Sequence, residues 1–298
     1  MKKLAFYFIA IASASIMASC NQNTDLTNSS STIDDLYSNS ASDDAYADEV
    51  MNTVSDDIDY ELSVADETGF TSNLKSASVY GGSGCRPKVT VDFPDSTQFP
   101  KVITFEFSDT CETLHGIVRS GKVIVTISNY MWKIGSTRVT TYENFYVDSC
   151  KIEGTRTVTT IGQDENGYWQ QSVQLVDGKI ILPDGTEITR NSDFVKTWLQ
   201  IPSQRMGKTG SFELTGSAEG TNIDGVGYNM EIVTPLHKEV FCPWFGSGVK
   251  NISLTDGTQI QLDYGDGTCD NVAMLTVNGE STEILIGRQH RKMHKANS

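Results

Sequence analysis

From Cys85 onward the chain repeats one pattern: a short run of β-branched and aromatic residues, then a turn. KVTVDF, KVITFEF, KVIVTIS, RVTTYENFYV and TRTVTTI are followed by FELTG, YNMEIVTPL, NISLTD, TQIQLDY, AMLTVNG and STEILIG. Val, Ile, Thr and aromatic residues fit a pleated surface, and alternation of apolar with polar residues gives a strand one dry and one wet face. RSGK, DENG, VDGK, LPDG, SAEGTNIDG, TDGT, GDGT and VNGE stand between the runs. Their Gly, Asn and Asp residues supply the backbone conformations that tight reversals need. The nearest thing to a helix in this region, NSDFVKTWLQI at 191–201, reads slightly better as a strand. Crossover helices are missing from the pattern, which argues against a parallel sheet. The expected fold is therefore all-β, with antiparallel sheets packed as a sandwich. The expected domain spans 85–289, either as one body or as two related units, 85–190 and 191–289.

The amino terminus has a different character. Met1, Lys2 and Lys3 precede the apolar, small-residue-rich run LAFYFIAIASASIMA, and Ala18, Ser19 and Cys20 follow. The run is too short for a lone membrane span and reads as a signal peptide, residues 1–19. The arrangement resembles a bacterial lipoprotein lipobox. That resemblance implies that Cys20 is lipidated and begins the mature chain. Each buried CH₂ of such an anchor contributes about 0.8 kcal/mol, and more than one acyl chain makes the attachment durable. The implied location is the bacterial outer membrane, with the membrane as the first partner.

Charge separates the next segment from the rest. The chain carries a net −15, but residues 21–80 hold thirteen Asp and Glu against one Lys, and residues 81–298 only −5. A run such as NQNTDLTNSSSTIDD followed by SNSASDDAYADEV is expected to stay extended, because like charges repel and little apolar surface offsets the ordering entropy. Residues 20–84 are thus expected to be a lipid anchor and acidic flexible tether, with GGSG at 81–84 as a joint. The alternative places DDIDYELSVADETGF in a short helix or an edge strand docked on the domain. Residues 290–298 form a basic tail. A mildly acidic folded part lacks the concentrated positive charge that phosphates require, so nucleic acid is not an expected partner.

The chain has six cysteines. ITFEFSDTCETLHG and IQLDYGDGTCDNVA echo each other, and each cysteine in them follows an earlier one at a similar distance: Cys85 before Cys111, Cys242 before Cys269. The echo favours the pairs 85–111 and 242–269, although four cysteines allow three connectivities. The alternative is a set of buried thiols acting as small hydrophobes. Cys150 is left over and is expected to be a core or turn thiol.

Candidate chemistry is sparse. There is no GxSxG elbow, HExxH or CxxC, and the four histidines are His115, His237, His290 and His294. Asp263, Asp266 and Asp270 surround a glycine turn in DYGDGTCDN, where oxygen ligands could hold Ca²⁺, but plain turn formation is the favoured explanation, because tight turns require Asp and Gly regardless of ligand. No other cofactor is implied. Tyr130 and Trp132 in SNYMWKIG, and Tyr168 and Trp169 in NGYWQQ, lie in or beside loops with polar neighbours. Aromatics so placed can stack on a sugar face or an apolar ligand, and core packing is the competing explanation.

KVTVDF near Cys85, SGKVIVTIS, IEGTRTVT, LPDGTEITRNSD, GTNIDGVGY and LDYGDGTCDN, in that order, resemble a group of uncharacterised Bacteroidetes-type envelope lipoproteins over about residues 85–287. The resemblance implies lipidation and an envelope location and carries over no functional residue. The functional expectation is a non-catalytic role, either binding of a glycan, an envelope protein or another extracellular ligand, or a structural one. The alternatives are a carboxylate-dependent hydrolase of the glycoside hydrolase type and a lipid carrier. Binding predicts exposed aromatics, catalysis two facing carboxylates with one raised in pKa, and lipid transport an enclosed apolar cavity.

Overall fold

The strand runs pair in the order in which they are written. A computed structural model describes residues 30–68, 87–92, 98–112, 116–202, 210–240 and 242–287. Its strands are β1 (Lys88–Val91), β2 (Lys101–Glu112), β3 (Val118–Ile127), β4 (Thr137–Val147), β5 (Cys150–Gln163), β6 (Trp169–Ile181) and β7 (Glu187–Gln200). They continue as β8 (Ser211–Thr221), β9 (Gly227–Glu239), β10 (Ser247–Leu254), β11 (Gln259–Asp266), β12 (Val272–Val277) and β13 (Glu280–Leu285). Each strand is antiparallel to the next, so one sheet runs from β1 to β13 without a crossover. The turns do what their residues suggest. In LPDG, Gly185 N–H donates to Leu182 O at 2.9 Å and Asp184 accepts from Thr186 N–H at 3.0 Å. The 191–201 stretch lies mostly in β7, as a strand.

Two expectations fail here. Among the described residues there is one continuous sheet, with no sandwich and no second β-unit. β7 crosses the 190/191 boundary and is hydrogen-bonded to β6 and β8 along its length. The fold is also not all-β. Ser30–Thr68, which the composition places in an extended tether, is a single 39-residue helix, α1. The inner face of the sheet does not pack on a second sheet; it packs on this helix. Among the described residues β1 and β13 do not pair, so the sheet is not closed by hydrogen bonds. The leader, Cys20, GGSG at 81–84 and the tail at 290–298 lie outside the described residues.

The helix has sequence causes. No Gly or Pro occurs between Ser30 and Thr68. Tyr46, Val50, Val54, Ile58 and Leu62 recur at spacing four, with Ala65 three further on, and all are buried. A second row runs beside it: Ser40, Asp44, Asp48, Asn52, Asp56, then Asp59 and Ser63. Residues at such spacing share one side of a helix. Every described side chain from Ser40 to Ala65 is buried, so the sheet must enclose the helix on all sides.

That enclosure buries charge. α1 contains twelve Asp and Glu and no Lys or Arg. The inner face of the sheet supplies the counter-charge. Asp44 and Asp48 both pair with Arg190 (β7) and Lys250 (β10). Asp56 pairs with Lys196 (β7) and Lys238 (β9), and Asp57 with Arg119 (β3) at 2.5 Å. Asp59 pairs with Arg138 (β4) and Lys196. The uncharged members of the row follow suit: Arg156 (β5) donates to Asn52 at 3.3 Å, Asn222 donates to Ser40, and Ser63 donates to Pro202 O at 2.6 Å. The helix is thus bound to strands from β3 to β10, and Ser42 reaches Leu285 O in β13.

Electrostatic signs follow from this geometry. Burial alone would raise the Asp44 carboxyl, but Arg190 and Lys250 outweigh it and hold it below its ordinary value. Burial is likewise the largest influence on Asp59, and Arg138 and Lys196 overcome it, lowering the group. At Asp57 burial prevails over Arg119, with Asp56 adding to it, and the carboxyl is raised. Asp44 and Asp59 therefore stabilise the folded state above the ordinary value of 3.8, and that contribution is lost as pH falls below it. Asp57 has the opposite sign.

The urea midpoint should therefore drop as pH is lowered beneath about 3.8, and the drop should be shallower in Asp44→Asn. At neutral pH, Asp44→Asn should cost about 3–5 kcal/mol, because it leaves buried cations undercompensated. Asp57→Asn should cost less, since burial already opposes its charge. Denaturation curves of both variants between pH 3 and 7 check the order.

Candidate functional site

The loops between odd and even strands gather at one end of the sheet. The four aromatics singled out in the sequence are there. Tyr130 and Trp132 lie in the β3–β4 loop, Tyr168 in the β5–β6 loop, and Trp169 begins β6. Gly135 N–H donates to Thr160 O at 2.8 Å and Thr160 N–H to Ser136 O at 3.0 Å, which ties the first loop to the end of β5. Segments nearly forty residues apart thereby meet: the Trp132 and Trp169 ring centres are 5.7 Å apart.

The two tryptophans are not free platforms. Trp132 also meets Trp198 edge-on at 6.0 Å, and Trp198 meets Phe212 at 5.4 Å. Trp198 is fully buried and donates its indole N–H to Gln171 Oε1 at 3.0 Å. Lys196 Nζ lies 4.3 Å from the Trp198 ring centre, so the aromatic stack is continuous with the charged interior. Trp132 and Trp169 are partly buried against the core. The exposed large hydrophobic residues of this end are Tyr130 and Tyr168, each 40 % exposed, with Ile134 at 67 % and Ile161 at 47 %. Tyr130 is held edge-on against Phe99 at 5.0 Å. The aliphatic members were missed in the sequence because a lone exposed Ile carries no pattern.

The remaining expected residues fall elsewhere. Cys242 and Cys269 form a disulfide between the β9–β10 and β11–β12 loops. Cys111 is disulfide-bonded, and Cys85, its expected partner, lies outside the described residues. Cys150 is a buried free thiol that accepts a contact from the Tyr46 hydroxyl at 3.5 Å. Asp263, Asp266 and Asp270 each accept a hydrogen bond from the backbone N–H two residues on: Gly265, Thr268 and Val272. Hydrogen bonds from the Thr268 hydroxyl and N–H hold Asp266 below its usual value. Each carboxylate thus serves its own turn, and among the described residues no group of three or more His, Cys, Asp or Glu is arranged to hold a metal ion. His237 lies 3.3 Å from Glu239 on the same strand; His115, His290 and His294 lie outside the described residues.

A second feature lies on the outer face of the sheet. Bulges interrupt the β6–β7 register between Leu175 and Gly178 and the β8–β9 register between Leu214 and Ser217. Bulges bend the strands that carry them. Gly216 has φ +121°, and Gly178 leaves space that a side chain would lose, since a Cβ there would sit 2.7 Å from Arg190 O. Beside these bends the sheet forms a groove of about 870 Å³ across β6–β11. Hydrogen-bonding side chains make up most of its lining, with exposed Val176 between them, and no Lys or Arg is present. Sequence reading for apolar alternation passes over this set, because its members are the polar halves of strands.

The interior offers much less space. Two small cavities beside α1, one lined by Leu62, Ile127 and Met131 and the other by Val50, Val54 and Ile117, hold about 10 Å³ each, room for a water molecule. Asp57, the carboxyl with the raised value, is sealed against Arg119 in this interior and does not face the groove. No helix among the described residues is long and apolar enough to cross a membrane. Fold and surface define a helix-filled antiparallel meander with an aromatic loop end and a polar outer groove. Compared with protein-family models, with curated proteins and with solved structures, the chain matches none.

The two halves of the aromatic end should respond differently to truncation. Trp132→Ala should cost about 3–5 kcal/mol and alter the tryptophan fluorescence of the folded state, because it opens the stack over Trp198. Tyr130→Ala and Tyr168→Ala should each cost about 1 kcal/mol or less, being surface changes. Thermal melts of the three variants check this.

Proposed function

We propose that the chain is a cell-envelope lipoprotein that acts by non-catalytic binding of a glycan or other extracellular ligand. One observation carries the binding reading. The β3–β4 and β5–β6 loops and the end of β5 bring Tyr130, Ile134, Ile161 and Tyr168, all exposed, to the end of the sheet where Trp132 and Trp169 meet. Exposed aromatic and aliphatic groups on loops set by a stiff scaffold are the usual form of a recognition surface. The filled interior gives no support to a lipid carrier among the described residues.

The lipobox resemblance supports anchoring at Cys20. The helix changes what such an anchor would do. Nine residues, 21–29, separate Cys20 from Ser30. Fully extended they reach at most about 32 Å. An anchor at Cys20 would thus keep the start of α1 within about 32 Å of the bilayer.

Two measurements test the proposal. Cys20→Ala should move the protein from the membrane fraction to the soluble fraction; continued membrane retention contradicts the anchor. On a glycan array, the chain lacking residues 1–19 should give signals that the Tyr130→Ala/Tyr168→Ala double variant reduces at least fivefold. If every signal is indifferent to both tyrosines, the loop end is removed as the contact surface. Shortened products released from a bound glycan, detected by mass spectrometry, would replace binding by hydrolysis.

A further inference from the structure

The outer groove is a site in its own right, separate from the aromatic end. Strand register shows how it is built. On one row Asn191 (β7) stands opposite Glu219 (β8), Glu219 opposite Asn229 (β9), Asn229 opposite Ser253 (β10), and Ser253 opposite Gln259 (β11). Two residues along each strand, a second row passes through Gln174, Asp193, Ser217, Glu231 and Asn251. Strands lie about 4.8 Å apart, so five of them carry each row across about 19 Å. Amide, hydroxyl or carboxylate groups thus recur at strand spacing over a length that fits several linked monosaccharides.

The ends and the middle of the groove differ. At the β10–β11 end, Ser253 Oγ donates to Gln259 Oε1 at 2.8 Å and Gln261 Nε2 donates to Asn251 Oδ1 at 3.3 Å. At the β6–β7 end, Asn191 Oδ1 accepts from Asp177 N–H at 2.9 Å. These pairs fix their side chains. In the middle, Ser217, Glu219, Asn229 and Glu231 are exposed and make no side-chain hydrogen bond or ion pair with any described residue. Glu219 and Glu231 stand diagonally across β8 and β9, about 7–8 Å apart. A rigid rim therefore surrounds a set of unengaged donors and acceptors, an arrangement suited to orienting a polar ligand without ordering the protein further.

Charge selects among polar ligands. The groove carries the carboxylates Asp193, Glu219 and Glu231 and no cation. Carboxylates accept hydrogen bonds from hydroxyls and repel anions. We infer that the outer groove across β6–β11 binds an uncharged oligosaccharide through Ser217, Glu219, Asn229 and Glu231. Anionic polysaccharides and phosphorylated ligands are rejected there.

The test uses the chain lacking residues 1–19 with neutral cello-, xylo- and manno-hexaoses and with oligogalacturonate as the anionic probe, by calorimetry. At least one neutral hexaose should bind, and oligogalacturonate should bind at least tenfold more weakly. The Asn229→Ala/Glu231→Ala double variant should lose at least tenfold in affinity with an unchanged melting temperature, since both side chains point outward. Tyr130→Ala/Tyr168→Ala should leave this binding intact, which separates the groove from the loop-end reading. Absence of binding by all three neutral hexaoses, stronger binding of oligogalacturonate, or full affinity in the double variant overturns the inference. If the groove variant melts lower, Glu219→Gln and Asn229→Asp give the same readout with less change in shape.

Discussion

The whole structure depends on the neutralisation of an acidic helix inside a sheet. Twelve carboxylates on 39 residues without a cation would repel one another along an isolated helix, where Asp44, Asp48 and Asp56 stack at multiples of four residues. Arg119, Arg138, Arg156, Arg190, Lys196, Lys238 and Lys250 lie buried on six different strands and would be equally untenable alone. Each half is strongly unfavourable without the other. A buried ion pair is poor evidence of net stability, because hydrophobic replacements can do as well. It is strong evidence of fit: a helix shifted by one residue would leave several charges unpaired at once.

The same arrangement shapes the surface. Seven Lys and Arg on the sheet point to the helix, and the outward cations Lys88, Lys122, Lys151 and Lys179 pair with acids outside the groove. This explains why the groove lacks positive charge while the interior is crowded with it. It also explains why the aromatic end is only half available for binding. Trp132 and Trp169 complete the packing over Trp198 and Phe212 at the end of the core, so recognition there falls to the exposed tyrosines and isoleucines around them.

Much of the sheet was legible in the sequence. KVITFEF, KVIVTIS, TRTVTTI and NISLTD alternate as strands with one buried face, and LPDG, TDGT and GDGT reverse the chain where they should. The Cys242–Cys269 pair followed from the echo between two hairpins. Only the end of the helix was read, as the alternative that docks DDIDYELSVADETGF on the domain in a short helix, although the signal for the whole was present. Tyr46, Val50, Val54, Ile58 and Leu62 are four apart, but the intervening acids dilute a run that is apolar on one row and charged on the next. A further clue lay in the strands themselves. Arg119, Arg138, Arg156, Arg190 and Lys250 occupy positions that alternation assigns to the core. A cation in an inward position demands a buried anion, and the acidic segment is the one large source of them. The groove was illegible for a different reason: Glu219 and Glu231 become neighbours only through the β8–β9 register, which bulges at Gly216 decide.

Sequence alone determined the local states of the sheet and their order: where strands begin and end, where the chain turns, and that hairpins follow one another without crossovers. Period-two alternation and turn chemistry act within a few residues, so they can be read without knowing the fold. Tertiary structure decided what covers the sheet. A one-faced sheet must bury its inner side, but alternation does not say against what; the match between helix carboxylates and inward Lys and Arg chose the helix over a second sheet. That match links residues more than a hundred positions apart, such as Asp44 with Arg190 and Asp48 with Lys250, and becomes visible only once the strands are curled around it.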